Sequence, residues 1–259
     1  MQLLFAALAF LTILPWPGGE ISPQRLPTIG VFFPLVGWGL GLCLATAGWL
    51  LLMLGLSPLP TAALLVALSA WLTRGLHLDG VADLCDGLGG ACDPAKRLAI
   101  MKDSATGAFG VIGLVLVLLL KTTALSDLLA GINQGNDSPV FFVLFCLSSV
   151  PALGRFAILL LSWKSRYPRQ QGTGHAFVGK IRGRHLLLGG ISLAPLMAAV
   201  GMETEILVPV ISCCVAAFVP VLVLRRQCRK LLGGITGDVL GAGCEFSEML
   251  GWLVLAFFF

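Results

Sequence analysis

Residues 74–110, RGLHLDGVADLCDGLGGACDPAKRLAIMKDSATGAFG, hold five of the chain's thirteen acids, and all five are aspartate. Asp79, Asp83 and Asp86 recur at i, i+4 and i+7, which stacks them on one face of a helix. Like charges on adjacent turns repel, so this face calls for a positive partner. Hard divalent cations take oxygen ligands, and Mg²⁺ commonly combines one or two carboxylates with substrate phosphates. The spacing therefore predicts a metal–diphosphate site with Asp79, Asp83 and Asp86 as Mg²⁺ ligands. The plainer alternative is a solvated acidic face paired with Arg74, Lys96, Arg97 or Lys102. Such faces usually mix Glu and Lys, whereas this one is Asp alone between glycines. His77 lies two residues before Asp79 and falls off the stripe.

The surroundings of the aspartates suit an anionic substrate. Glycines at 75, 80, 87, 89, 90, 107 and 110 permit close backbone approach to a phosphate, although loops are glycine-rich in any case. Asp93 followed by Pro94 reads as an N-cap and first helical position, opening a helix that carries Lys96, Arg97 and Lys102. Those three cations either hold phosphate or mark topology. A second polar stretch, GGITGDVLGAGCEFSE at 233–248, offers Thr236, Asp238, Glu245 and Glu248 as further ligands or hydroxyl contacts. It reads equally well as a glycine-rich C-terminal loop. The basic segment Lys164–His185 either grips a second phosphate or faces anionic lipid.

The elements that position these residues are dictated by composition. Of 259 residues, 57% are hydrophobic and 12% charged, with a mean hydropathy of +0.95. A soluble domain carries about 25% charge, so a water-soluble fold, a disordered chain and a small disulfide scaffold are excluded. The expected fold is all-α, a polytopic transmembrane helical bundle forming one domain over 1–259. About 20 apolar residues span the hydrocarbon. Six stretches qualify: Val31–Leu56, Leu59–Leu72, Gly107–Ala130, Pro139–Trp163, Leu186–Met202 and Ile206–Leu224. Two apolar end segments, Leu3–Leu14 and Met249–Phe259, are too short to cross comfortably. The start lacks a basic n-region, so no signal peptide is read there. Three connections, Ser57–Pro60, Gly131–Ser138 and Gly201–Glu205, contain no Lys or Arg. Fifteen of the 17 Lys and Arg fall on the other side, and the positive-inside rule makes that side cytoplasmic. Both chain ends and the active-site loops 73–106, 163–185 and 225–248 are then expected in the cytoplasm.

The other two cations, Lys121 and Arg155, lie inside predicted spans. Lys121 sits about 14 residues into its helix, about 21 Å along it. A central charge costs about 2.5–3.5 kcal/mol on insertion scales and normally faces a bundle interior or a wet cavity. Arg155 is near enough to the cytoplasmic end to snorkel. The eight cysteines show no CxxC pair, and four lie in apolar runs where cysteine acts as a small hydrophobe.

Five blocks, taken together, resemble the cobalamin synthase (adenosylcobinamide-GDP ribazoletransferase) family. They are FFPLVGWGLG (32–41), HLDGVADLCDGLGG, RLAIMKDSATGAFGVIGLVLVLLLK, PALGR (151–155) and GGITGDVLGA (233–242), in the family's order. The departures are Cys85 and Cys92 in the acidic segment and the short second span. The resemblance implies a bacterial inner-membrane transferase with Mg²⁺ as cofactor. It would join adenosylcobinamide-GDP to α-ribazole, or to α-ribazole 5′-phosphate, and release GMP. Its partners would be those substrates and the lipid bilayer, and no nucleic acid is expected. A ribose hydroxyl would attack the corrinoid-side phosphorus, with Asp103 or His77 accepting its proton. Arg74, Lys96, Arg97, Lys102, Lys121, Arg155, Thr236 and Asp238 are the candidates to hold substrate. Rival families fit less well. An aromatic prenyltransferase needs a second aspartate motif, and 164–184 contains no acid. A CDP-alcohol phosphatidyltransferase wants Ala-Arg after its first motif, and a transporter would show repeated halves.

Overall fold

The computed structural model describes residues 2–15, 18, 21–133, 140–196 and 207–258, and among them every regular element is helical. The elements are α1 (Gln2–Leu11), α2 (Phe33–Met53, entered through the turns Leu26–Ile29 and Gly30–Phe32), α3 (Pro58–Leu72) and α4 (Leu76–Gly90). They continue with α5 (Pro94–Ile100), α6 (Ala108–Asn133), α7 (Val140–Ser162), α8 (Gly183–Ile191), α9 (Leu207–Leu231) and α10 (Gly237–Ala256). Among the described residues five segments are long and apolar enough to cross a membrane: Leu26–Met53, Ala108–Gly131, Val143–Ser162, Leu207–Leu231 and Gly237–Ala256. The α3–α4 pair makes a sixth if counted as one broken span. The outer faces of α6 and α9 expose Ile112, Leu116 and Leu119, and Val215 and Leu222, as a lipid-facing surface requires.

Four expectations change at this level. The C-terminal polar stretch is no loop: residues 237–248 are the first half of α10, and Met249–Phe259 is its continuation through Ala256 rather than a separate short piece. A 20-residue helix is about 30 Å long. A spanning α10 therefore puts the C-terminal end on the face opposite the basic loops. Residues 73–106 are mostly α4 and α5 rather than loop, and Arg225–Leu231 completes α9. Leu186–Met202 is not one continuous helix, because α8 stops at Ile191 with a turn at Ser192 and Leu193. The far part of that span, with most of the connections at 131–138 and 201–205, lies outside the described residues. Gln2–Leu11 is a short helix packed into the bundle, burying Ala6, Ala7 and Leu11.

Two features of the backbone arrange the rest. First, α3 and α4 meet at 92°. Arg74 and Gly75 are both left-handed there, at φ +54° and +64°, and the Gly75 N–H closes on the Ala70 carbonyl at 2.8 Å. This is the glycine-terminated helix end that reverses a chain sharply. Arg74 is held in place through Nη2, which donates to the Ala9 carbonyl at 3.0 Å. So α4 leaves the direction of α3 and lies across the bundle. Second, α10 is the hub, packed against α4, α6, α7 and α9. Beside it, Gly37 and Gly41 on α2 meet the α7 backbone at Ala152 and Ser148, the small-residue packing that membrane helices use in place of a hydrophobic drive.

Candidate functional site

The site forms where α4 crosses the start of α10. A Cβ on Gly80 would lie 2.5 Å from the Asp238 carbonyl oxygen, so only glycine allows this crossing. Thr236 caps α10, accepting from Val239 N at 3.3 Å and donating to Asp238 Oδ2 at 3.2 Å. The cap sets Asp238 beside the Asp79–Asp83 face of α4. Burial, the Asp238 carboxylate and then Asp79 push Asp83 up to about 7, against the opposing charge of Arg169. Burial is the larger cause, and the neighbouring Asp238 and Asp79 carboxylates add to it, with Arg169 as the opposing cation. Asp79 is exposed and stands between two hollows. One, about 170 Å³, is lined by His77, Asp238, Phe33, Thr173 and Gly174. The other, about 530 Å³, is lined by Arg74, Thr106 and apolar residues including Leu78 and Leu114.

The three stacked aspartates part company. Asp86 is buried, and its two oxygens accept from Gly107 N at 2.7 Å and Gly110 N at 2.8 Å. It caps the N-terminus of α6, where free N–H groups and the helix dipole favour a carboxylate. Asp238 takes its place beside Asp79 and Asp83. Among the described residues no three His, Cys, Asp or Glu side chains converge into a cage able to hold a metal unaided.

Arg169 is the residue that sequence reasoning passed over. Its Nη1 lies 2.9 Å from Asp238 Oδ2, Nη2 reaches the Met101 carbonyl at 3.4 Å, and Nε is buried without a partner. It had counted only as one of fifteen topology cations. Nothing in its local spacing singles it out, because its partner is 69 residues away.

Other candidates occupy varied positions. His77 is buried, lines the small cavity and leaves Nδ1 unpartnered. Asp103 is exposed and closes a turn on itself, Oδ1 accepting from Ala105 N at 3.1 Å, and it lines neither hollow. Lys96 and Lys102 are exposed, and the Lys96 N–H binds the Asp93 cap at 3.0 Å as expected. Arg97 is buried and structural: Nε donates to the Ala91 carbonyl at 2.7 Å, and Nη1 reaches the Leu231 carbonyl at 3.5 Å. Arg74 lines the larger hollow beside Asp79.

Lys121 and Arg155, expected at the substrate, meet α10 instead. Lys121 Nζ lies 2.6 Å from Glu245 Oε2 and 2.8 Å from Glu248 Oε2, and Arg155 pairs with Glu248 Oε1. All four groups are at least nine-tenths buried. Lys121 also stands over the Trp252 ring at 5.0 Å. Two cations and two anions balance, which removes most of the penalty each would carry alone in the membrane.

Comparison with known proteins bears on this arrangement. The family model described as cobalamin-5-phosphate synthase matches residues 3–256. An adenosylcobinamide-GDP ribazoletransferase from Syntrophobacter fumaroxidans is 41% identical over 251 residues, covering 94% of this chain and 94% of that protein. Proteins of the same name from Desulfitobacterium hafniense and Escherichia coli are 39% and 35% identical, covering 96% and 98% of this chain and 94% and 99% of their own. No solved structure matches.

Proposed function

The chain belongs to the cobalamin-5-phosphate synthase family, and from that premise we propose that it joins adenosylcobinamide-GDP to α-ribazole, or to α-ribazole 5′-phosphate, releasing GMP. The observation that carries the site assignment is the surplus negative charge where Asp79 and Asp83 meet Asp238, beside an open hollow. Its donors are hard carboxylate oxygens and few in number, which fits Mg²⁺ completed by substrate phosphates and water. Asp79 and Asp83 would hold the ion, with Asp238 alongside. When bound, Mg²⁺ supplies charge neutralisation at the diphosphate and the leaving GMP.

The chain's own residues do the rest. A ribose hydroxyl of α-ribazole that stays free in its 5′-phosphate attacks the corrinoid-side phosphorus, its oxygen forming the new P–O bond as the bond to GMP breaks. Transfer of this kind has a loose transition state, so positioning and electrostatics carry most of the catalysis and a weak base suffices. His77, which lines the small cavity, is the acceptor we assign for the hydroxyl proton. Arg169, anchored on Asp238, adds a guanidinium beside that carboxylate, which suits an anionic oxygen. Clustering of fifteen cations supports a cytoplasmic orientation for this face in a bacterial inner membrane.

The test is purified protein in vesicles with adenosylcobinamide-GDP and α-ribazole, scored for GMP and for the completed corrinoid. Product formation that stops on chelation and returns with Mg²⁺ is the expected result. No product with any divalent ion sinks the transferase reading. Undiminished product after chelation removes Mg²⁺ and leaves the transferase standing.

A further inference from the structure

Away from the aspartates, the end of α9 and the chain after α7 enclose a further hollow of about 700 Å³. Its charged lining is Lys164, Arg166, Arg225, Arg226 and Arg229, with Ser165 among them and no acid. It shares no residue with either hollow at Asp79. Five cations around one space repel one another, and a bound anion relieves that.

The anion's nature follows from what lies below it. Val208, Ile211, Val215, Val219 and Leu222 are exposed along α9 at helical spacing, a stripe that faces acyl chains. Arg226 and Arg229 extend the same stripe by one and two turns, so apolar surface runs straight into cationic surface. Leu222, 70% exposed, lies at the junction and is part of the hollow's wall. Trp163 marks the same level: Lys164 Nζ sits 4.7 Å from its ring centroid, Arg225 5.9 Å, and Arg225 donates to its carbonyl. Tryptophan with basic neighbours is the usual signature of the membrane–water boundary. A soluble phosphate ester would use the cations and leave the stripe unused. A lipid uses both.

We infer that this hollow is a binding site for an anionic phospholipid, its phosphate among Arg166, Arg226 and Arg229 and its chains along the α9 stripe. Basic pockets between membrane helices on the cytoplasmic side suit such headgroups. The site also braces the reaction centre. Ile235 N donates to the Arg166 carbonyl at 2.9 Å, Thr236 then caps α10 before Asp238, and Arg169 follows Arg166 by three residues. A seated headgroup therefore steadies both segments that deliver Asp238 and Arg169.

Full-length protein is reconstituted in phosphatidylcholine alone and with phosphatidylglycerol added, and retained lipid is counted by native mass spectrometry after extraction. Parent protein should keep phosphatidylglycerol in preference to phosphatidylcholine. Arg226→Gln/Arg229→Gln should weaken that retention about 25-fold, about fivefold for each cation. Both side chains are exposed, and an unchanged gel-filtration profile checks that the variant folds. Arg25→Gln/Lys180→Gln, which removes two exposed cations elsewhere, should retain lipid like the parent. Equal retention of the two lipids overturns the inference, as does equal loss in both variant pairs, which would mean general surface attraction. Displacement of phosphatidylglycerol from the parent by inorganic phosphate or GMP also overturns it, because the hollow would then serve a soluble anion. None of these readouts depends on the transferase reaction.

Discussion

One helix, α10, supplies acids to two regions that behave oppositely. At its first turn Asp238 joins Asp79 and Asp83 in a group with more negative charge than Arg169 offsets. Two to three turns deeper, Glu245 and Glu248 meet Lys121 and Arg155 in a balanced, buried set. The difference lies in partners, not residue type. Where the protein completes the charge balance itself, the ions hold helices together. Where it leaves carboxylates beside an open hollow, the proposed Mg²⁺ and substrate phosphate would complete the balance.

The sharpest way to break this comparison is Asp83→Asn. Removing one anionic ligand from the open group should lower turnover about a thousandfold, roughly 4 kcal/mol of transition-state stabilisation, with folding intact. GMP release and a melting curve on the same sample check it. A variant that unfolds instead would move Asp83 to the structural side.

Glu248→Gln attacks the closed set, stranding Arg155 and half of the Lys121 contact. Breaking a buried pair from one side should cost about 3 kcal/mol in stability, while the remaining folded molecules turn over within a fewfold of the parent. Lys121→Met should also destabilise, and Lys121→Met/Glu245→Gln should recover part of the loss because one cation and one anion leave together. Thermal melting in detergent reads both. Full stability in the single variants, with activity lost, would return Lys121 to the substrate site.

Asp86→Asn sharpens the boundary between the two behaviours. An amide can accept only one of the two N–H bonds at the start of α6, so stability should fall by about 1–2 kcal/mol. Turnover should fall much less than for Asp83→Asn. Equal activity losses would restore Asp86 as a ligand.

The smallest effect is expected at Asp103→Asn. Asparagine closes the same turn on Ala105 N, so turnover should stay within about twofold of the parent. A large drop with a shifted pH profile would make Asp103 the base after all.

The acidic face of α4 was legible because Asp79, Asp83 and Asp86 repeat at helical spacing within fifteen residues. The Asp93 cap was legible for the same local reason. α10 was misread because Asp238, Glu245, Glu248 and four glycines dilute an apolar stretch, and hydropathy counts a buried, paired glutamate as if it faced lipid. Arg169 was missed because its use depends on a partner in another element.

The sequence by itself determined that this is a multi-span helical membrane protein, and it offered the aspartate face of α4 as the candidate site. Composition and short-range periodicity are enough for that, since both act through the solvent and through neighbours one helical turn away. Only the tertiary structure decided which charges face a hollow and which face each other. The 92° turn at Arg74 and Gly75 and the Gly80 crossing bring Asp238 to α4, and send Asp86 to the α6 amides. Whether an ion is free to act depends on the distance to its counter-ion. In this chain Lys121 and Glu245 are 124 residues apart in sequence and 2.6 Å apart in space.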